Sequence, residues 1–129
     1  MGIKASKAKH KPLGRISKGP VEKGDVSIRA RLWLDVAGET YLAPGRVTLL
    51  ERIDEFGSIT KAAKSMEMSY RHAWLLVDDM NKKAPSPLVI RKTGGKGGGG
   101  TKLSPEGKKA VDNFNVLQDK LFAFVEGLK

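Results

Sequence analysis

Five of the six residues from Gly95 to Gly100 are glycine. Such a run carries no side chains to pack, and each of its residues loses more backbone freedom on ordering than any other residue type. It cannot sustain a helix. The chain must therefore be read as separate elements on either side of it. Before it, Leu88 to Lys92 reads as a short strand with Leu88 and Ile90 on one face. After it, Thr101 to Leu103 can return as the antiparallel partner. Thr93 to Gly100 is then the loop of a hairpin, free to take positive φ and to lie close against another molecule. Pro85-Ser86-Pro87 terminates the preceding element. Ser104-Pro105 opens the next one, as an N-cap with proline at the first helical position.

Upstream, the pattern predicts three short helices. Arg46 to Phe56 carries Leu49, Leu50, Ile53 and Phe56 on one stripe, with Gly57 as a left-handed cap. Ser58 caps a second helix with Ile59, Ala62, Ala63 and Met66 inward, and Glu67-Met68 is a tight connection. Ser69 caps a third, running to about Lys83, with Ala73, Trp74, Leu76, Val77 and Met80 on the inner face. Arg71, His72, Leu75, Asp78, Asp79 and Lys82 fall on the outer one. Further upstream, Val26 to Val36 alternates apolar and polar without a break, which predicts one half-buried strand. Trp33 lies on its polar face and implies a second covering surface.

The final helix is expected from Pro105 to about Leu128. Ala110, Phe114, Leu117, Leu121, Phe124 and Leu128 are spaced alternately by four and three residues, an a/d seam. Val111, Phe122 and Val125 form a neighbouring strip. One strip can serve the chain's own core. The other, with Phe114, Leu117, Leu121, Phe124 and Leu128, is assigned to homodimerisation; the alternative is that both serve the core.

Length and composition narrow the function. A chain of 129 residues with 40% hydrophobic content supports one domain plus a tail or an oligomerisation element. The absence of cysteine excludes disulfides, thiolate metal sites and a cysteine nucleophile. The net charge of +10 concerns partners, and nucleic acid is the leading one. The charge is local: residues 1–23 carry +6, 24–60 carry −2, 61–109 carry +7, and 110–129 carry −1. The first block, expected to be disordered over residues 1–24, has the low apolar content of a solvated basic tail. Met1-Gly2-Ile3-Lys4-Ala5-Ser6 matches a myristoylation pattern, but the pattern is short and no membrane partner is expected.

The most basic block spans the second and third helices and the hairpin. Two short adjacent helices followed by a hairpin read as a winged helix-turn-helix. The recognition helix presents its N-terminal residues, Ser69, Tyr70, Arg71 and His72, to the major groove, where Arg71 can fork onto guanine O6 and N7. Ser58, Thr60, Lys61 and Lys64 suit backbone phosphates. Arg91, Lys92, Lys96 and Lys102 suit the adjacent minor groove or its phosphates. Lys61 and Lys64 also fit a solvated helix face, His72 fits a neutral surface histidine, Tyr70 fits packing on the first helix, and Trp74 reads as core. Leu75 fits a thymine methyl or a second subunit. Asp78 and Asp79 would be repelled by phosphate, so that end of the helix should tilt away from the duplex.

Enzymatic readings find no footing. Gly95, Gly97 and Gly100 fit the spacing of a dinucleotide loop, but a helix must come directly after such a loop and here a strand does. His10 and His72 have no spaced carboxylate partners for a metal site or a triad. No catalytic, metal or cofactor site is expected.

The combination of Gly57-Ser58-Ile59-Thr60-Lys61-Ala62-Ala63-Lys64, Ser69-Tyr70-Arg71-His72-Ala73-Trp74, Met80-Asn81 and Thr93 to Gly100 resembles the N-terminal DNA-binding domain of the ModE-type molybdate-responsive regulators. That domain is itself related to the winged helix of LysR-type regulators. The resemblance covers about residues 26–128. It implies a homodimer on a palindromic promoter site, with Ser69, Tyr70 and Arg71 reading bases and Lys96 and its glycines on the wing. Full-length members carry a C-terminal oxyanion-binding module, for which the 129 residues leave no room, so molybdate binding is not carried over.

The expectation is a mainly α fold with a small β wing. A basic tail occupies residues 1–24, a winged helix-turn-helix 25–104, and a dimerisation helix 105–129. The expected function is a cytoplasmic, nucleoid-associated transcription regulator that binds double-stranded DNA as a homodimer. The alternatives are a non-specific architectural DNA binder and a winged-helix module that binds protein.

Overall fold

The computed structural model describes residues 26–95 and 98–128. The expected tail, His10 and Lys96 lie outside them. The described residues form four helices and two small antiparallel sheets. The order is β1 (Leu34–Val36), β2 (Glu39–Leu42), α1 (Pro44–Phe56), α2 (Ile59–Ser65), α3 (Tyr70–Lys83), β3 (Val89–Gly95), β4 (Gly98–Leu103) and α4 (Pro105–Glu126). This arrangement is mainly helical and compatible with the expected winged helix-turn-helix.

The helix boundaries follow local chemistry. Ser58 accepts from the Lys61 amide, Ser69 from the His72 amide and Ser104 from the Gly107 amide, so three N-termini are capped as the serines predict. α1 lacks a side-chain cap and starts instead on Pro44, whose missing N–H would be an orphan donor in any case. It ends on Gly57 at φ 69°, with the Gly57 amide donating to the Ile53 carbonyl. Between α2 and α3, Glu67 takes φ 56°, and the Met66, Glu67 and Met68 amides fold back onto the Ala63 and Lys64 carbonyls. That bonding keeps the turn tight.

One core holds these elements. Leu49, Leu50 and Ile53 of α1, Ala62 and Ala63 of α2, Ala73, Val77 and Met80 of α3, Leu88, Val89 and Leu103 of the second hairpin, and Val111 and Phe114 of α4 pack together with Leu42 and Val47. The C-terminal helix therefore belongs to the same core as the rest, not to a unit of its own. Close docking is possible at its start because Ser104 bonds Pro87 and Leu88 carbonyls and Gly107 lies against the Leu88 carbonyl.

Several expectations are corrected. The predicted strand over residues 26–36 pairs only at Leu34–Val36, because the turn at Ala37-Gly38 leads into just four residues of partner strand. Residues 26–33 lie outside regular structure; 26–29 are all exposed, and exposure alternates only from there on, with Ala30 and Leu32 half-buried. Val26 is 87% and Trp33 54% exposed, with Arg31 over the Trp33 ring at 5.6 Å. Phe56 is partly exposed beyond the α1 stripe. The strands also enter the glycine run, with Gly95 paired to Gly98, so the loop is shorter than Thr93 to Gly100.

Candidate nucleic-acid interface

α3 has three usable faces besides its buried one. Successive residues are about 100° apart around a helix. With Ala73, Val77 and Met80 inward, Arg71, Leu75, Asp78 and Lys82 point outward. Asn81, on one flank, accepts from the Leu88 and Val89 amides at 2.8 and 3.1 Å and donates to the Val89 carbonyl. That flank therefore faces the root of the β3–β4 hairpin, and Tyr70 and Trp74 share it. The opposite flank carries Asp79 and Lys83, which face the β1–β2 hairpin.

The acidic residues are not the free, solvated pair that their adjacency suggests. Asp79 accepts from Arg46 at 2.7 Å and from Lys83 at 2.8 Å, and Lys83 also reaches Glu39 and the Thr40 carbonyl. Lys83, then Arg46, hold the Asp79 carboxyl below the usual carboxylate range. The same pairing raises Lys83. Asp78 pairs with Lys82 along the helix at 2.9 Å and lifts the Lys82 ammonium above its usual range. At this end of α3 each cation is matched by a carboxylate.

The other end differs. Thr60, Lys61, Lys64, Ser69, Tyr70, Arg71, His72, Arg91, Lys92 and Lys102 are all exposed, and Ser58 is half-buried at its cap. Among the described residues no ion pair engages Lys61, Lys64, Arg71, Arg91, Lys92 or Lys102. Ser58 and Ser69 accept from backbone amides, which leaves each hydroxyl hydrogen free to donate. Trp74, expected in the core, is 45% exposed. Its azimuth lies beyond the arc that Ala73, Val77 and Met80 fill, and apolar character alone does not reveal this.

The hairpin is fastened to the turn between α1 and α2. The Thr101 amide donates to the Gly57 carbonyl at 3.0 Å, and a Cβ on Gly100 would sit 2.6 Å from that same oxygen. The Lys92 ammonium lies over Gly57, 3.7 Å from where its Cβ would be. Leu103 donates its amide to Asp54 of α1. The free cations of α2, α3 and the hairpin are thus carried on elements bonded to one another.

On α4 the assignment of the seam changes. Phe114 is fully buried in the chain's own core with Val111, so it is not available to a partner. The core takes one residue from each expected strip, because the buried arc (Gly107, Val111, Phe114, Asn115, Gln118) is centred about 80° around the helix from the seam and meets it only at Phe114. Asn115 completes this contact by donating to Glu51 of α1 at 3.1 Å. Leu117, Phe124 and Leu128 remain exposed, with Leu121 half-buried beside them.

The described residues hold no cluster of metal-ligating side chains, and none of their helices is long and apolar enough to cross a membrane. No protein-family model matches the chain. It is 45% identical to the molybdenum transport protein ModE of Azotobacter vinelandii, over 69% of this chain and 33% of that protein. It is 37% identical to the DNA-binding transcriptional dual regulator ModE of Escherichia coli K12, over 70% of this chain and 36% of that protein. It is 40% identical to the molybdenum-pterin-binding protein MopB of Rhodobacter capsulatus, over 57% of this chain and 27% of that protein. The chain is therefore related in sequence to proteins named ModE and Mop. It spans about a third of the length of the curated relatives it matches.

Proposed function

We propose that the chain is a ModE-type DNA-binding transcription regulator, a winged helix-turn-helix with α3 as recognition helix and the β3–β4 hairpin as wing. The observation that carries this reading is the segregation of cations. Those at the C-terminal end of α3 are neutralised by carboxylates. Those on α2, on the first turn of α3 and on the hairpin are exposed and, among the described residues, free of ion pairs. Unneutralised cations on mutually bonded elements match a phosphate backbone. Arg71 faces outward from the first turn, where a recognition helix meets base edges.

The same proposal includes a homodimer on a palindromic site. Leu117, Leu121, Phe124 and Leu128 form an apolar flank on a helix of 22 residues, about 33 Å long. That length is comparable with the ~34 Å between successive major-groove half-sites. No cofactor is proposed for this chain.

Selection of bound duplexes from a random pool, with and without molybdate, tests the reading. A single palindromic motif is expected, enriched equally in both. Arg71→Ala should weaken binding to it by about 1–3 kcal/mol and relax preference at one position. Recovery of duplexes without a common sequence would favour a non-specific architectural role, and retention of no duplex at low salt would end the DNA reading.

A further inference from the structure

Tyr70 and Trp74 stand one turn apart on the hairpin-facing flank of α3 and are 52% and 45% exposed. The fold does not use the indole: the helix contributes Ala73, Val77 and Met80 to the core. Among the described residues no hydrogen bond or stacked cation engages Trp74. A large apolar side chain left half in water on a helix that also carries the exposed Arg71 invites an occupant. Arg71 on the same helix, with Lys61 on α2 and Lys92 on β3, all free of ion pairs among the described residues, points to a polyanion.

Side chains on a helix lean toward its N-terminus. Trp74 therefore covers the first turn, the end that a recognition helix places in the groove, beside Tyr70 and about 60° around the helix from Arg71. In the major groove the one apolar group on a base edge is the thymine methyl. We propose that Trp74, flanked by Tyr70, determines sequence by apolar contact with a thymine methyl. This rests on the DNA-binding reading and adds to it a base discrimination that needs no hydrogen bond.

The test takes the duplex recovered by selection and replaces each thymine in turn by uracil, which removes only the methyl group. The wild-type protein should lose affinity roughly tenfold at one thymine. Trp74→Ala should bind the parent duplex with a similar loss and be indifferent to that replacement, while Trp74→Phe keeps the discrimination. In a Trp33→Phe background Trp74 is the sole tryptophan of the two, and its emission should change on addition of duplex. If Trp74→Ala keeps the wild-type thymine-to-uracil ratio at every position, or if the emission stays constant at saturating duplex, the inference is overturned. Should the Trp74 measurements be flat while Arg71→Ala still weakens binding, the inference alone falls. If no duplex is retained at low salt, the DNA reading falls and takes this inference with it.

Discussion

Gly107 sits in the first turn of α4, where alanine would improve intrinsic helix propensity by about 1 kcal/mol. A Cβ there would overlap the Leu88 carbonyl, which is held in place by the Ser104 amide and hydroxyl. Overpacking against fixed backbone costs about 1–3 kcal/mol or more, so the clash outweighs the propensity. Gly107→Ala should lower the urea midpoint of unfolding, and a raised midpoint would refute this. Nothing in the chain's pattern announces the contact, because a glycine that admits a strand looks like any other helical glycine. The serine caps are legible because a cap is a local event: the hydroxyls of Ser58, Ser69 and Ser104 bond amides three residues on. Trp74 is not legible in the same way, since hydrophobicity favours burial, whereas its place around the helix is set by its neighbours.

Besides the buried Leu42, ion pairs join the β1–β2 hairpin to the helices. Arg46 of α1 and Lys83 of α3 converge on Asp79, and Lys83 reaches on to Glu39 and the Thr40 carbonyl. Because Asp79 titrates below its ordinary range when folded, its ionised form stabilises the fold above the unfolded value of about 3.9. That contribution is lost as pH falls through the depressed folded value. Asp79→Asn should therefore be less stable than wild type in denaturant at pH 7, and the gap should close in acid below about pH 4. A gap independent of pH would mean that the amide fails for steric reasons. The helices are readable from period and caps. The N-terminal strand is shorter than its pattern, since alternation reports which face is covered and cannot report where a pairing partner ends. The ion network is not readable at all: it links residues as far apart as Glu39 and Lys83, which only the packing brings together.

At the scale of the molecule, the flank of α4 leaves apolar side chains in water, with Phe124 at 65% and Leu128 at 54% exposure. Phe124→Glu should shift sedimentation at micromolar concentration from dimer to monomer while leaving the fold intact. A wild-type chain that sediments as monomer would remove the proposed pairing. If each subunit neutralises roughly four phosphates, affinity should fall with salt at a log–log slope of about −7. A slope shallower than about −3 would be too small for this footprint. Charge along the sequence locates the cationic surface. It cannot separate cations that are free from those that are spoken for, since that depends on which carboxylates fold against them. The amide of Thr101 on the Gly57 carbonyl, with Gly100 admitting the close approach, ties the β3–β4 hairpin to the corner from which α2 departs. On the proposed DNA-binding reading, hairpin and helices would span a duplex like the jaws of a caliper set to one width. Such an instrument would gauge the shape of DNA as well as its letters, and a sequence whose grooves are too wide or too narrow would be refused before any base is read.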